Sequence, residues 1–130
     1  MKPVRYLFCK HCHNLVQVIH DAGVPIVCCG EPMVELIPNS TDAAGEKHVP
    51  VVQRDGNRIH VDVGSTAHPM AEEHHIAWVA LVTRQGVQLH YLPHDHAPKT
   101  CFSLCDGDEP VEVLAYCNLH GLWKAQKPLA

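Results

Sequence analysis

Four cysteines near the N-terminus constrain the fold of this chain more than any other feature. They form two close pairs, Cys9-x-x-Cys12 and the adjacent Cys28-Cys29. Four thiolates in two pairs match a tetrahedral four-sulfur metal site. The segment that carries them is shorter than the roughly 40 residues at which a core alone usually suffices, so the metal is expected to be needed for folding. The number of ligands alone leaves open whether the ion is iron or a purely structural zinc.

The overall composition argues against several classes of protein. The 130 residues carry a formal net charge of −4, and Lys and Arg together number only 10 without a basic block, so nucleic acid is not an expected partner. No stretch approaches the length of a membrane span, and the N-terminus lacks the apolar run of a signal peptide. The seven cysteines are an odd number, which does not suggest a closed set of disulfides. Thiols that stay free to bind metal fit a reducing cytoplasm, which is the predicted location.

The rest of the chain is predicted to form short strands separated by turns. Residues 38–47 are small, polar and non-periodic, as expected of a linker. Apolar and polar residues alternate in 59–63, 87–91 and 111–115, while 76–82 is apolar at nearly every position. About seven strands in roughly 80 residues indicate an immunoglobulin-like antiparallel β-sandwich. The predicted fold is therefore mainly β, with a small metal-binding domain (residues 1–37) followed by the sandwich (residues 38–130).

A second group of metal-binding side chains lies in the predicted sandwich. Each member lies in a loop or at the edge of a strand, where sites are usually built on a rigid scaffold. The group consists of His48, His68, either His74 or its neighbour His75, Cys117 and His120. Imidazole suits iron, zinc, copper and nickel, and thiolate adds strong electron donation. Five such ligands would leave one position of an octahedral metal open to a small molecule.

Other histidines and cysteines receive no role from the residues alone. Histidine is over-represented with 12 copies, and His94-Asp95-His96 could catch a metal, but a solvated, proline-flanked loop is the expected account. Cys101 and Cys105 would lie about 13 Å apart on an extended strand, beyond the reach of a disulfide. Both are therefore predicted to be free, mostly structural thiols.

Together these motifs resemble the desulfoferrodoxin family, the two-iron form of superoxide reductase. The resemblance covers nearly the whole chain. Besides the four N-terminal cysteines it rests on Glu46-Lys47-His48-Val49-Pro50, His68-Pro69-Met70, Glu72-Glu73-His74 and Cys117-Asn118-Leu119-His120-Gly121-Leu122-Trp123-Lys124. It implies one iron in a desulforedoxin-like domain, bound by Cys9, Cys12, Cys28 and Cys29. It implies a second iron with four equatorial histidines and one axial cysteine, which map to His48, His68, His74, His120 and Cys117. The family's spacing selects His74 rather than His75.

The resemblance also implies an activity, which is the one-electron reduction of superoxide to hydrogen peroxide. Lys47 is expected to steer the anion and to help deliver a proton, and Glu46 to close the sixth position once the iron is oxidised. Cys117 is expected to push electron density onto the iron, as axial thiolates do in haem enzymes. The family further implies a rubredoxin-like electron donor and a homodimer. The alternative is a non-catalytic electron-transfer or metal-binding protein, which the four-thiolate site alone would support.

Overall fold

The computed structural model describes residues 4–126 and residue 129. The chain divides between Ile37 and Pro38 into two compact units. The elements of the first unit are β1 (Arg5–Phe8), β2 (Leu15–Val18), β3 (Val27–Cys28), β4 (Glu31–Pro32) and β5 (Val34–Glu35). Those of the second unit are α1 (Gly45–His48), β6 (Pro50–Asp55), β7 (Arg58–Val63), β8 (Ile76–Thr83), β9 (Val87–Tyr91), β10 (Lys99–Ser103), β11 (Pro110–Cys117) and β12 (Gly121–Lys124). Within the described residues, no helix is long and apolar enough to cross a membrane.

The first unit has very little core. Strand β1 lies between β2 and β5 in an antiparallel sheet, and β3 pairs with β4 in a separate ribbon. Among the described residues of this unit, only Tyr6, Leu7 and Cys9 are buried. Buried apolar side chains contribute roughly 1.5–3 kcal/mol each, whereas ordering the backbone costs about 1–2 kcal/mol per residue. So few buried side chains cannot offset that entropy, and the unit needs the stabilisation that a bound metal supplies.

The second unit is a sandwich of two antiparallel sheets. One sheet has the strand order β10-β7-β6, and the other has the order β12-β11-β8-β9. The two sheets enclose a single apolar core, to which both contribute. Its members include Ile59, Val61, Val63, Val79, Leu81, Phe102, Val113 and Ala115. The prediction of a mainly β chain, with a cysteine-rich N-terminal unit and a following β-sandwich, is confirmed.

The periodicity of each strand follows its place in the sheets. In β7, Ile59, Val61 and Val63 are buried while the residues between them are exposed, as expected of a strand with one face on the core. Strand β8 lies inside the four-stranded sheet and is buried at seven of its eight positions. Burial on both faces explains why the sequence of β8 is almost continuously apolar.

The segment predicted to be a linker, residues 38–47, is more ordered than its composition indicates. The Asn39 N–H donates to the carbonyl of Leu122, and the Asn39 Oδ1 accepts from the N–H of Lys124, both at 2.9 Å. The end of the segment forms most of α1, which terminates at the buried ring of His48. This order could not be predicted from the sequence, because the contacts are made by backbone groups and one short polar side chain. Such contacts produce no periodic pattern of apolar residues.

Candidate metal centres

The four N-terminal cysteines converge on one point. Their sulfur atoms all lie within 4.8 Å of one another. The sulfurs of Cys12 and Cys28 are 3.5 Å apart. The Cys9–Cys12 turn is closed by two backbone hydrogen bonds of 2.9 Å, from the Cys9 N–H to the Asn14 carbonyl and from the His13 N–H to the Cys9 carbonyl. The first predicted set of ligands is therefore brought together.

The adjacent residues Cys28 and Cys29 reach the same point because the backbone turns sharply between β3 and β4. Cys28 pairs with Glu31, so that Cys29 and Gly30 form a two-residue hairpin turn. Both turn residues have positive φ, 52° for Cys29 and 77° for Gly30. Two successive positive φ angles are typical of a type I′ turn, in which glycine suits the second position. The turn explains how neighbouring cysteines can direct their sulfurs to one ion.

Four neighbouring thiolates would need a cation to balance their negative charge. The backbone N–H groups of Cys12 and His11 lower the pKa of Cys9 to about 6. In contrast, hydrogen bonding with the crowded neighbouring thiols, Cys12 first, raises the pKa of Cys29 to about 12. All four sulfurs can be thiolates together only when a positive ion balances them. The side-chain amide of Asn14 points at Cys28 Sγ from 3.6 Å, as a donor to a thiolate would. These residues fit an iron or zinc ion.

In the second unit, four histidine rings form a square. Going around it, the ring centroids of His48, His68, His74 and His120 are separated by 4.6, 4.7, 5.1 and 5.0 Å. Each ring meets the next nearly edge-on, at angles from 76° to 87°. His48 and His74 occupy opposite corners, with centroids 6.4 Å apart. The arrangement fits four imidazoles that bind one ion.

Hydrogen bonds at the outer ring nitrogens determine which nitrogens face the centre. The Nδ1–H of His48 donates to the Ala44 carbonyl and that of His68 to the Pro69 carbonyl, both at 2.7 Å, which leaves each Nε2 unprotonated. The Nε2 atoms of His68 and His74 are buried and have no hydrogen-bond partner within the described residues. A buried polar atom without a partner is costly, and a metal ion would account for both atoms.

Cys117 adds a buried sulfur next to the square. Its side chain is fully buried, and its Sγ lies 3.9 Å from Nδ1 of His120, which is itself 3.2 Å from Nε2 of His48. Burial raises the pKa of the Cys117 thiol, and two backbone N–H groups of the following turn partly offset this. Ligand atoms that all lie within 4.8 Å of one another come from His48, His74, Cys117 and His120. His68 completes the set through its ring contacts with His48 and His74.

Burial keeps the imidazoles in the form that binds metal. It lowers the pKa of His68 to about 4 and also lowers the pKa of His48 and His74. Because the folded-state pKa values are depressed, these rings are neutral at pH 7, and neutral imidazole is the metal ligand. The square therefore presents nitrogen lone pairs to its centre.

Trp123 supports the square from outside. Its ring stacks on His48 with a centroid distance of 4.7 Å and an angle of 26°. Its Nε1–H donates to the carbonyl of His120 at 3.1 Å. One side chain thus orients two corners of the square. Sequence reasoning gave Trp123 no role, although its place in the segment that follows Cys117 was the available signal.

Asn118 is a second support that sequence reasoning missed. Its Oδ1 accepts from the N–H of His75 at 2.8 Å, and its Nδ2 donates to the carbonyl of Glu73 at 3.1 Å. The two bonds flank His74 in the chain. They attach the turn between β11 and β12, which carries Cys117 and His120, to the loop that carries His74.

Glu46 and Lys47 directly precede His48 on α1, and both side chains are exposed. No ion pair engages either side chain within residues 4–126 and 129. The backbone holds them in place, because the Glu46 carbonyl accepts from the Thr66 N–H at 2.8 Å and from the Ser65 hydroxyl at 3.3 Å. Both charges are therefore available next to one corner of the square.

Comparison with known sequences identifies the family to which both centres belong. The model of the family described as "Desulfoferrodoxin" matches residues 40–126, and that of "Desulfoferrodoxin, N-terminal domain" matches residues 6–36. The chain belongs to the desulfoferrodoxin family. Another desulfoferrodoxin, from Syntrophotalea carbinolica, is 45% identical over 118 residues, which cover 91% of this chain and 92% of that protein.

Proteins named superoxide reductase are also similar to this chain. One from Pyrococcus horikoshii is 34% identical over 107 residues, covering 69% of this chain and 93% of that protein. The crystal structure of the superoxide reductase from Treponema pallidum superimposes with a TM-score of 0.81 at 40% identity, covering 96% of this chain and all of that one. The family resemblance inferred from the motifs is confirmed.

Proposed function

We propose that this desulfoferrodoxin is a superoxide reductase, an oxidoreductase that converts superoxide to hydrogen peroxide by one-electron reduction. The observation that carries the proposal is the square of four imidazole rings with one buried cysteine beside it. Similar proteins that bear the name superoxide reductase support it. In this assignment residues 1–37 are a desulforedoxin-like iron domain and residues 38–130 are the catalytic domain.

The proposed ligands divide into two sets. The first iron is assigned to Cys9, Cys12, Cys28 and Cys29. The catalytic iron is assigned to His48, His68, His74, His120 and Cys117. If iron is bound, the second set of ligands would hold the ion that supplies one electron, which with two protons would convert superoxide to hydrogen peroxide.

The chain's own residues prepare the site for an anion. Imidazole binds a metal as a neutral ligand, so among these five ligands only Cys117 would bring a negative charge to a divalent ion, and the centre would keep a net positive charge. Lys47 adds a local positive charge that attracts superoxide although the chain as a whole is acidic. Lys47, or a water molecule that it orders, is the proposed source of a proton for the reduced product. Glu46 offers a carboxylate oxygen, a hard donor that suits the oxidised state.

Stoichiometry under anaerobic conditions tests the proposal directly. The purified protein is reduced, its iron content is confirmed, superoxide is added, and visible absorption is followed together with peroxide and oxygen. Appearance of a thiolate-to-ferric band with equimolar peroxide and no oxygen is the expected result. Oxygen evolved alongside peroxide would identify a dismutase instead. Iron that stays reduced when superoxide is added would leave an electron-transfer protein, and zinc in both centres would exclude redox chemistry.

Replacement of Lys47 by alanine is expected to slow the bimolecular reaction with superoxide by about tenfold at low ionic strength, since a local charge concentrates the anion at the site. The salt dependence of the rate should become flatter, because screening acts on the charge that has been removed. Pulse radiolysis at several salt concentrations measures both effects. Lys99→Ala is the matched control, an exposed lysine on β10 outside the site. If Lys47→Ala and Lys99→Ala react alike at low salt, the steering role is wrong.

The proposal extends to partners, assembly and location. A rubredoxin-like protein is the proposed electron donor. A homodimer is supported by large apolar side chains that the first unit leaves exposed, with Ile19 at 91%, Val24 at 70% and Val27 at 60%. A cytoplasmic location is supported by the seven cysteines, all of which are free. Removal of superoxide there would make the protein part of the response to oxidative stress.

A further inference from the structure

Two histidines that the square does not use meet each other on the surface of the second unit. The rings of His75 and His94 have centroids 6.0 Å apart and are inclined by 48°. His75 is half-buried and follows His74 directly, whereas His94 is exposed in the loop after β9. The ring of His75 contacts the Ala71 carbonyl and the ring of His94. The ring of His74 instead contacts His68 and His120 in the square.

The ring of His75 is prepared as a ligand in the same way as the rings of the square. Its Nδ1–H donates to the carbonyl of Ala71 at 2.9 Å, so in the neutral imidazole the Nε2 is the atom that offers a lone pair. The spacing of the pair also fits one ion. Centroids in the square are separated by 4.6 to 6.4 Å, and the His75–His94 distance of 6.0 Å falls inside that range.

The loop that carries His94 is held in place by backbone hydrogen bonds and contains other side chains of the types that bind metals. The Leu92 N–H donates to the Ala77 carbonyl at 2.9 Å, which fixes the start of the loop against β8. A turn follows, closed by a hydrogen bond of 3.1 Å from the His96 N–H to the Pro93 carbonyl. Asp95 lies beside His94 and is paired with His96 at 2.9 Å. The loop thus combines imidazoles with a carboxylate, the donors that borderline divalent cations prefer.

We propose that His75 and His94 form a third metal site, separate from both iron centres, which takes a borderline divalent cation such as Zn²⁺ from solution. Two protein nitrogens occupy part of the coordination sphere, and water molecules complete it. The site is open to solvent and has fewer protein ligands than either iron centre. The bound cation therefore exchanges readily, in contrast to the two irons.

Calorimetric titration of the iron-loaded protein with Zn²⁺ tests the site, with the iron content followed through visible absorption. Wild-type protein is expected to take up one zinc without losing iron. His94→Gln should weaken that binding by about tenfold or more, because even partners outside the ligand shell contribute that much. His60→Gln is the matched control, since it removes an exposed histidine from β7 and should bind zinc as wild type does.

Three results would overturn the proposal. Wild-type protein could take up no zinc at all. Zinc uptake could be matched by loss of iron, which would place the zinc in one of the iron centres. His94→Gln could bind zinc with the affinity of the wild type. His94 lies in an exposed loop outside both sheets, and a circular dichroism spectrum verifies that the variant is folded.

Discussion

Cys117→Ser is expected to remove the thiolate-to-iron charge-transfer band of the catalytic centre and to lower superoxide reduction by about a hundredfold or more, since even partners outside the ligand shell contribute up to that much. A serine hydroxyl stays protonated at neutral pH and offers a neutral oxygen where the cysteine offers a thiolate. The site then loses its only anionic ligand and the electron density that the sulfur donates. Visible absorption and stopped-flow kinetics on the iron-loaded variant measure both losses.

The fold should survive this substitution. The backbone N–H groups of Leu119 and His120 face the sulfur of Cys117 and can donate to a serine oxygen in its place. The absorption of the four-thiolate centre should therefore persist, because Cys9, Cys12, Cys28 and Cys29 are unchanged. Cys101→Ser is the matched control, a half-buried thiol on β10 outside both centres, and it should leave both bands intact. Retention of the catalytic band and of activity in Cys117→Ser would remove Cys117 from the site.

Both centres could be predicted from the sequence because their ligands belong to few residue types at short spacings. Cys117 and His120 belong to one turn, and the four N-terminal cysteines form two local pairs. The type of side chain could not decide whether His74 or His75 is the ligand, since both are imidazoles on one loop. The structure shows the difference between them, because the ring of His74 joins the square and that of His75 turns to Ala71 and His94.

Features that depend on tertiary contacts could not be predicted. Alternation indicated that residues 87–91 form a strand, but not which face of β9 is buried. Gln88 and His90 pair with Leu81 and Val79, whose side chains lie in the core, so the polar residues share the inward face. His90 stacks on Phe102 at 4.1 Å and contacts Thr100, while Tyr91 is 81% exposed. The edge position of β9 allows this arrangement, because the inward face can end in polar groups that find partners on the opposite sheet.

Gly64 is another feature without a sequence signal, and its replacement should have the largest effect on stability. Its φ is +87°, and a Cβ at this position would lie 2.3 Å from the Thr66 carbonyl oxygen, 2.7 Å from that of Lys47 and 2.8 Å from that of Glu46. All three obstacles are backbone atoms and cannot rotate away. The turn that starts at Gly64 therefore packs directly against α1, which carries Lys47 and Glu46 and ends at His48.

Gly64→Ala is expected to destabilise the second unit by about 3 kcal/mol or more, the sum of roughly 1–2 kcal/mol of left-handed backbone strain and the overlap with three carbonyl oxygens. That loss corresponds to a fall of about 12 °C or more in Tm for a domain of this size. Gly56→Ala isolates the overlap, because Gly56 has φ +59° but no atom within 4 Å of the added Cβ. Gly56→Ala should therefore lower the stability only by the backbone strain.

Thermal unfolding of both iron-loaded variants measures the difference, and equal Tm values would show that the contact between this turn and α1 does not position the helix. If the contact does position it, Gly64→Ala should also reduce iron retention at the square, since His48 moves with α1.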